Sequence, residues 1–156
     1  MIKQGIYCIH NSIEYSYDKT IGNKVLLTSY DRNDLNNGFV CKLKDDFIKK
    51  YGFYCQKEVP KSEITEAYKI ETTAIYKNQN YYVDSALTQG EDMVRIYTPP
   101  ISTVKETELY NEYKSNGFSD GMKFEYGDVL LYKYISVYDP DLQIVEKRTE
   151  LDISKL

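Results

Sequence analysis

Apolar and polar positions alternate with a period of two through much of this chain, and the longest such run lies near its middle. In Ala67 to Tyr82, AYKIETTAIYKNQNYY, the residues Tyr68, Ile70, Thr72, Ala74 and Tyr76 alternate with Lys69, Glu71, Thr73, Ile75 and Lys77. Successive side chains on a strand point to opposite faces, so the pattern predicts one long half-buried strand. Asn78-Gln79-Asn80 reads as a turn, and a second aromatic run follows it.

Upstream, Gly5 to Ile9, Ile13 to Tyr17 and Val25 to Ser29 read as short strands separated by turn residues at His10-Asn11-Ser12 and Gly22-Asn23. Asp31 to Gly38 is polar and reads as a loop, and Phe39 to Leu43 alternates like a fourth strand. Leu43, Phe47, Ile48 and Tyr51 share one helical face, which predicts a helix over Asp45 to Tyr51 stopped by Gly52. Phe53 to Val59 returns to strand character, and Ser62-Glu63-Ile64 makes a short turn into the central strand. Downstream, Thr103 and Glu106 have the spacing of a capping box before a helix carrying Leu109, Tyr110 and Tyr113, which Asn116-Gly117 ends. Met122 to Tyr126, Asp128 to Val137 and Leu142 to Ile153 complete the strands, with a turn at Asp139-Pro140-Asp141.

These elements predict an α+β fold dominated by strands: antiparallel β meanders with two short helices, because short turns favour antiparallel pairing and no βαβ crossover is present. The length, 156 residues, fits a single domain over 1–156. The order of elements also recurs, making two similar halves (about 1–70 and 71–156) candidates for a tandem duplication. A shift of 66 places Ile9, Tyr15 and Asp18 on Ile75, Tyr81 and Asp84; with two residues inserted, Gly22 falls on Gly90 and Val25-Leu26 on Met93-Val94. The helical residues Phe47, Ile48 and Tyr51 match the spacing of Leu109, Tyr110 and Tyr113.

Composition adds a tyrosine excess, 17 Tyr against 5 Phe and no Trp, which suits both sheet surfaces and binding faces. Charge is uneven: residues 1–77 hold 12 Lys/Arg and 10 Asp/Glu, whereas residues 78–156 hold 8 and 14. An acidic surface repels phosphates, so no nucleic-acid partner is expected, while a basic protein would be attracted. No apolar run is long enough for a membrane helix, and none resembles a secretory leader. Cys8, Cys41 and Cys55 are odd in number and lack metal spacing, which fits reduced thiols in a cytoplasmic protein. The Lys-, Ile- and Asn-rich usage fits a bacterial or phage source.

No motif names a reaction. Cys8 and the single histidine, His10, share a strand face, but no orienting carboxylate or oxyanion hole accompanies them. Asp139 and Asp141 sit in a predicted turn, where such residues bond the local backbone, and the glycines form no phosphate loop. The expectation is therefore a non-enzyme with no catalytic residues, no metal and no cofactor. Tyrosines and acidic groups coincide in the second half at Tyr81, Tyr82, Glu91, Asp92, Tyr110, Tyr113, Asp120 and Tyr126, the candidate partner-binding residues.

The opening KQGIYCIHNSIEYSY, the segment KEVPKSEITEAYKI and the second run AIYKNQNYYV resemble small cytosolic immunity proteins of bacterial polymorphic-toxin systems. That resemblance implies a compact, acidic, β-rich, non-enzymatic protein that binds and neutralises a cognate toxin domain, often a basic nuclease. A carbohydrate or small-ligand binding protein, phage-encoded, stands as the alternative; an enzyme using carboxylates or Cys8 ranks below both.

Overall fold

The computed structural model describes residues 2–84 and 92–156. The fold is α+β and strand-dominated, and the strands whose register is defined among the described residues pair antiparallel. The chain divides into two compact units: Gln4–Glu71 with Lys147–Leu156, and Met1–Lys3 with Thr72–Glu146.

The first unit contains β1 (Gly5–His10), β2 (Ile13–Ile21), β3 (Lys24–Ser29), β4 (Cys55–Pro60) and the start of β5 (Ile64–Tyr76). Their order is β4-β3-β2-β1-β5, so the first strand pairs with both its successor and the last. Asn11 and Ser12 turn β1 into β2 with φ of 51° and 64°, the left-handed pair that a two-residue hairpin needs to match strand twist. A 3-10 helix (Arg32–Asn37) and helix α1 (Asp45–Tyr51) lie between β3 and β4, and a 3-10 turn (Lys61–Glu63) precedes β5. Alternation buries Cys8, Tyr15, Val25, Leu27, Cys55 and Val59 together with Phe39, and Leu151, Ile153 and Leu156 pack against this cluster.

The second unit takes the remainder of β5, followed by β6 (Gln79–Val83), β7 (Met93–Tyr97), β8 (Ile101–Ser102), helix α2 (Thr107–Ser115), β9 (Ser119–Lys123), β10 (Asp128–Ser136) and the start of β11 (Leu142–Glu150). Its order is β10-β7-β6-β5, with β11 also paired to β5 and the short β8 and β9 paired to β10. Its core gathers Ala74, Tyr81, Val83, Val94, Ile96, Ile101, Phe118, Val129, Leu131 and Ile135.

The two units thus share one strand order, and they share side-chain contacts within it. Tyr15 packs on Phe39 with ring centroids 4.8 Å apart, and Tyr81 packs on Phe118 at 5.5 Å. Each phenylalanine follows an Asn-Gly pair whose glycine is left-handed, Gly38 at φ 85° and Gly117 at φ 86°. Lys57 donates to the Asn37 carbonyl at 2.8 Å, and Lys133 donates to the Asn116 carbonyl at 2.8 Å. Both ammonium groups lie 5.9 Å from the centroid of the phenylalanine that follows.

Five sequence expectations are corrected. The hairpin turn after β5 is Lys77-Asn78, at φ 48° and 64°, and Gln79 already belongs to β6. The burial patterns of β3 and β7 align Val25 and Leu27 with Val94 and Ile96, one residue beyond the offset read from the letters. A one-residue slip exchanges the buried and solvent faces of a strand, so burial decides the register. Helix α1 follows Phe39 whereas α2 precedes Phe118, so the two helices do not occupy matching places in the two units. Phe39 to Leu43 makes only a single bridge, Val40 to Gln56, instead of a strand. The capping interaction ahead of α2 is made by Ser102, which accepts from the Lys105 amide, while Glu106 accepts from the Ser102 amide.

Candidate functional site

The expected binding residues fall into separate environments of the second unit. Tyr81 is only 6% exposed, on the core face of β6, and donates to Gln79 Oε1 at 2.9 Å. Burial pushes its phenol up to about 12. Tyr113 meets it edge-on, with centroids 6.4 Å apart, and the pair lines a cavity of about 140 Å³ with Tyr76, Phe118 and Lys133. That is well below the roughly 300 Å³ at which ligand pockets usually begin. Tyr110 donates to Asp120 at 2.8 Å, and this bond, with help from Lys114 at 3.3 Å, holds the Asp120 carboxyl below its ordinary value.

Three of the predicted residues are exposed. Asp92 accepts from the Val137 amide through its carbonyl and from the Tyr138 hydroxyl at 3.4 Å. Tyr126 stacks on Phe124 at 5.3 Å. Tyr82 is 51% exposed, on the face of β6 opposite Tyr81. Glu91 lies outside the described residues. The seven described residues therefore do not make one patch: Tyr81 and Tyr113 serve packing, and Tyr110 and Asp120 serve each other.

Tyr82 leads instead to a surface that the sequence reading missed. It stacks on Tyr97, its register partner on β7, with centroids 5.5 Å apart. Tyr97 is paired in turn with Tyr132 on β10, whose ring meets Tyr134 edge-on at 5.8 Å. Arg95 stands opposite Tyr134, holds its guanidinium 5.7 Å from the Tyr132 centroid, and forms an ion pair with Asp84. Period-two alternation explains the arrangement. Val83, Val94, Ile96 and Leu131 point into the core, so the intervening residues form a tyrosine ladder on the other face. Beside it, Asp84, Arg95, Tyr97, Gly121, Met122, Leu130 and Tyr132 line a groove of about 220 Å³. Burial pushes the Tyr97 phenol above its ordinary value.

The corresponding face of the first unit has the same register and different chemistry. Ser16 pairs with Thr28, Thr28 with Gln56 and Leu26 with Glu58, where the second unit pairs Tyr82 with Tyr97, Tyr97 with Tyr132 and Arg95 with Tyr134. Gln56 donates to Thr28 Oγ1 at 3.1 Å and to Asp18 at 3.3 Å, an ordinary solvated sheet surface. The strand order therefore does not require aromatics on this face. The parity of Tyr97, Tyr132 and Tyr134 relative to their buried neighbours was the signal available in the sequence.

The carboxylate that the sequence did not show beside His10 is present in the structure, while the Cys8 thiol is fully buried. Burial pushes the Cys8 thiol up to about 11, so it is protonated at neutral pH, and His10 Nε2 lies 3.0 Å from Glu63 Oε2. Asp139 accepts from the Asp141 amide at 2.9 Å within its own turn. Among the described residues no group of three His, Cys, Asp or Glu side chains could hold a metal, and no helix is long and apolar enough to cross a membrane.

The chain belongs to the family described as uncharacterised conserved protein UCP033725, whose model matches residues 2–153. No curated protein and no solved structure matches the chain.

Proposed function

We propose that this chain is a non-enzymatic protein-binding module that works in the cytoplasm, an immunity protein that captures and neutralises a basic toxin domain. The observation that carries the reading is the coincidence of aromatic surface and negative charge in one unit. The unit bearing the tyrosine ladder holds 7 Lys/Arg against 12 Asp/Glu, a balance of −5, whereas the other holds 13 against 12. Acidic groups steer a basic partner and aromatic side chains anchor it, the division of labour found at protein interfaces. Three unpaired cysteines fit a reducing compartment.

The test is to purify the tagged protein from its own cells and identify what accompanies it. The expected result is one basic protein at equal stoichiometry that is toxic when expressed without this chain. Recovery of no such protein overturns the reading.

A second reading has one observation in its favour. A stacked tyrosine pair beside an Arg95–Asp84 ion pair offers the stacking and hydrogen-bonding groups that a sugar ring uses. Binding on a glycan array with loss in Tyr97→Ala would support it in place of the first.

A further inference from the structure

We infer that the ladder of Tyr82, Tyr97, Tyr132 and Tyr134 is the anchoring surface for cationic side chains, arginine above all, of a basic protein partner. The inference deepens the protein-binding reading above and rests on it.

Four observations converge on that occupant. The ladder is confined to one unit, although the other has the same register on the equivalent face. That unit carries the −5 balance, so its field draws cations. Arg95 covers Tyr132 and is paired with Asp84, so its charge is offset and the half-exposed Tyr82 is the ring most open to an incoming positive group. Finally, the chain already uses tyrosine as a guanidinium platform: the Arg148 guanidinium lies 3.5 Å from the Tyr68 centroid in the first unit, and Arg95 sits over Tyr132 in the second. A guanidinium is planar and weakly hydrated, so it stacks on a ring at lower desolvation cost than an ammonium does.

The ladder spans three strands, with Tyr82 on β6, Tyr97 on β7 and Tyr132 and Tyr134 on β10. Neighbouring strands lie roughly 5 Å apart, so the rings offer a platform on the order of 10 Å across. Several side chains of one cationic surface can engage it together. Aromatic stacking supplies the anchor, and the net negative charge of the unit raises the rate of encounter.

The probe is a short oligo-arginine peptide, with the matched oligo-citrulline peptide as its neutral isostere, titrated into the full chain. The chain has no tryptophan, so tyrosine emission and tyrosine ring resonances report binding directly. The expected result is a perturbation of ladder tyrosines by oligo-arginine and not by oligo-citrulline. Tyr97→Ala weakens binding about threefold, the size of one exposed cation–π contact. The half-exposed Tyr82→Ala provides the same reading should Tyr97→Ala fail to fold, and Ser16→Ala in the other unit leaves affinity unchanged. Equal binding of the two peptides, or undiminished binding by Tyr82→Ala, overturns the inference. Failure of this inference and failure of the inhibitor reading separate cleanly. A toxic basic partner whose affinity ignores the ladder variants overturns only the anchoring surface. Ladder-dependent oligo-arginine binding without any co-purifying partner overturns only the inhibitor.

Discussion

Tyr15 donates its phenolic hydrogen to the buried carboxylate of Asp34 at 3.1 Å, closing a polar knot inside the first unit. Ser29 and Asn37 donate to the same carboxylate at 2.5 and 2.9 Å. Burial pushes the Asp34 carboxyl up, and these three donors outweigh it, so the group lies below its ordinary value. Asp34→Ala leaves the three donors without their acceptor and should cost about 2–4 kcal/mol, measured by urea unfolding. Because the folded value is depressed, this stabilisation is fully present above the ordinary carboxyl range. It is lost as pH falls through the folded value, so the mutant and wild-type stabilities should converge in acid.

Tyr81 and Tyr82 are neighbours in sequence with opposite expected phenotypes. Tyr81→Ala removes a ring buried against Phe118 and should cost about 3–5 kcal/mol. Tyr82→Ala removes a half-exposed ring stacked on Tyr97 and should cost about 1 kcal/mol or less in thermal or urea unfolding. Equal losses would mean that the two faces of β6 are assigned wrongly.

Burial also orders the three thiols. Cys8 and Cys55 are buried with thiols pushed above their ordinary values, burial being the main cause in each, whereas Cys41 is partly exposed. At pH 8, a thiol-titrating disulfide reagent should label Cys41 first, and Cys8 and Cys55 only on unfolding. Peptide mapping of the labelled sites checks the order.

The acidic character of the second unit has a kinetic signature. Converting Glu91 and Asp92 to Lys should slow association with a basic partner, and the deficit should shrink as salt screens the field. Rates measured in stopped flow at low and high ionic strength decide this, and a deficit independent of salt removes the steering role.

The strand framework was legible because alternation records which face is buried. Helix α1 runs over the span that its apolar spacing predicts, and the shift of 66 aligned Tyr15 with Tyr81, two rings that pack alike on Phe39 and Phe118. The Asn-Gly-Phe tripeptide recurs at 37–39 and 116–118, yet its meaning appears only when Lys57 and Lys133, distant in sequence, close on it. The binding face was less legible because residue type does not reveal the side a strand presents. Tyr81 and Tyr113 looked like anchors and are packing residues, while Tyr97, Tyr132 and Tyr134 gained significance only from register.

The Asn-Gly bends carry a further prediction. Gly117 is left-handed, and a Cβ there would also sit 3.5 Å from the Lys133 ammonium. Gly117→Ala should therefore cost about 1 kcal/mol or more, read as a lower urea midpoint with an unchanged slope.

The first unit recruits Lys147–Leu156, and its cluster includes contacts from Leu151, Ile153 and Leu156. Lys61 also donates to the Leu156 carbonyl at 2.8 Å. A ribosome delivers these ten residues last among those described, at roughly 5–20 residues per second. The nascent first unit therefore waits through the synthesis of the whole second unit before Leu151, Ile153 and Leu156 can cover its core. Its strands emerge first, yet its last packing partners are made after those of the second unit.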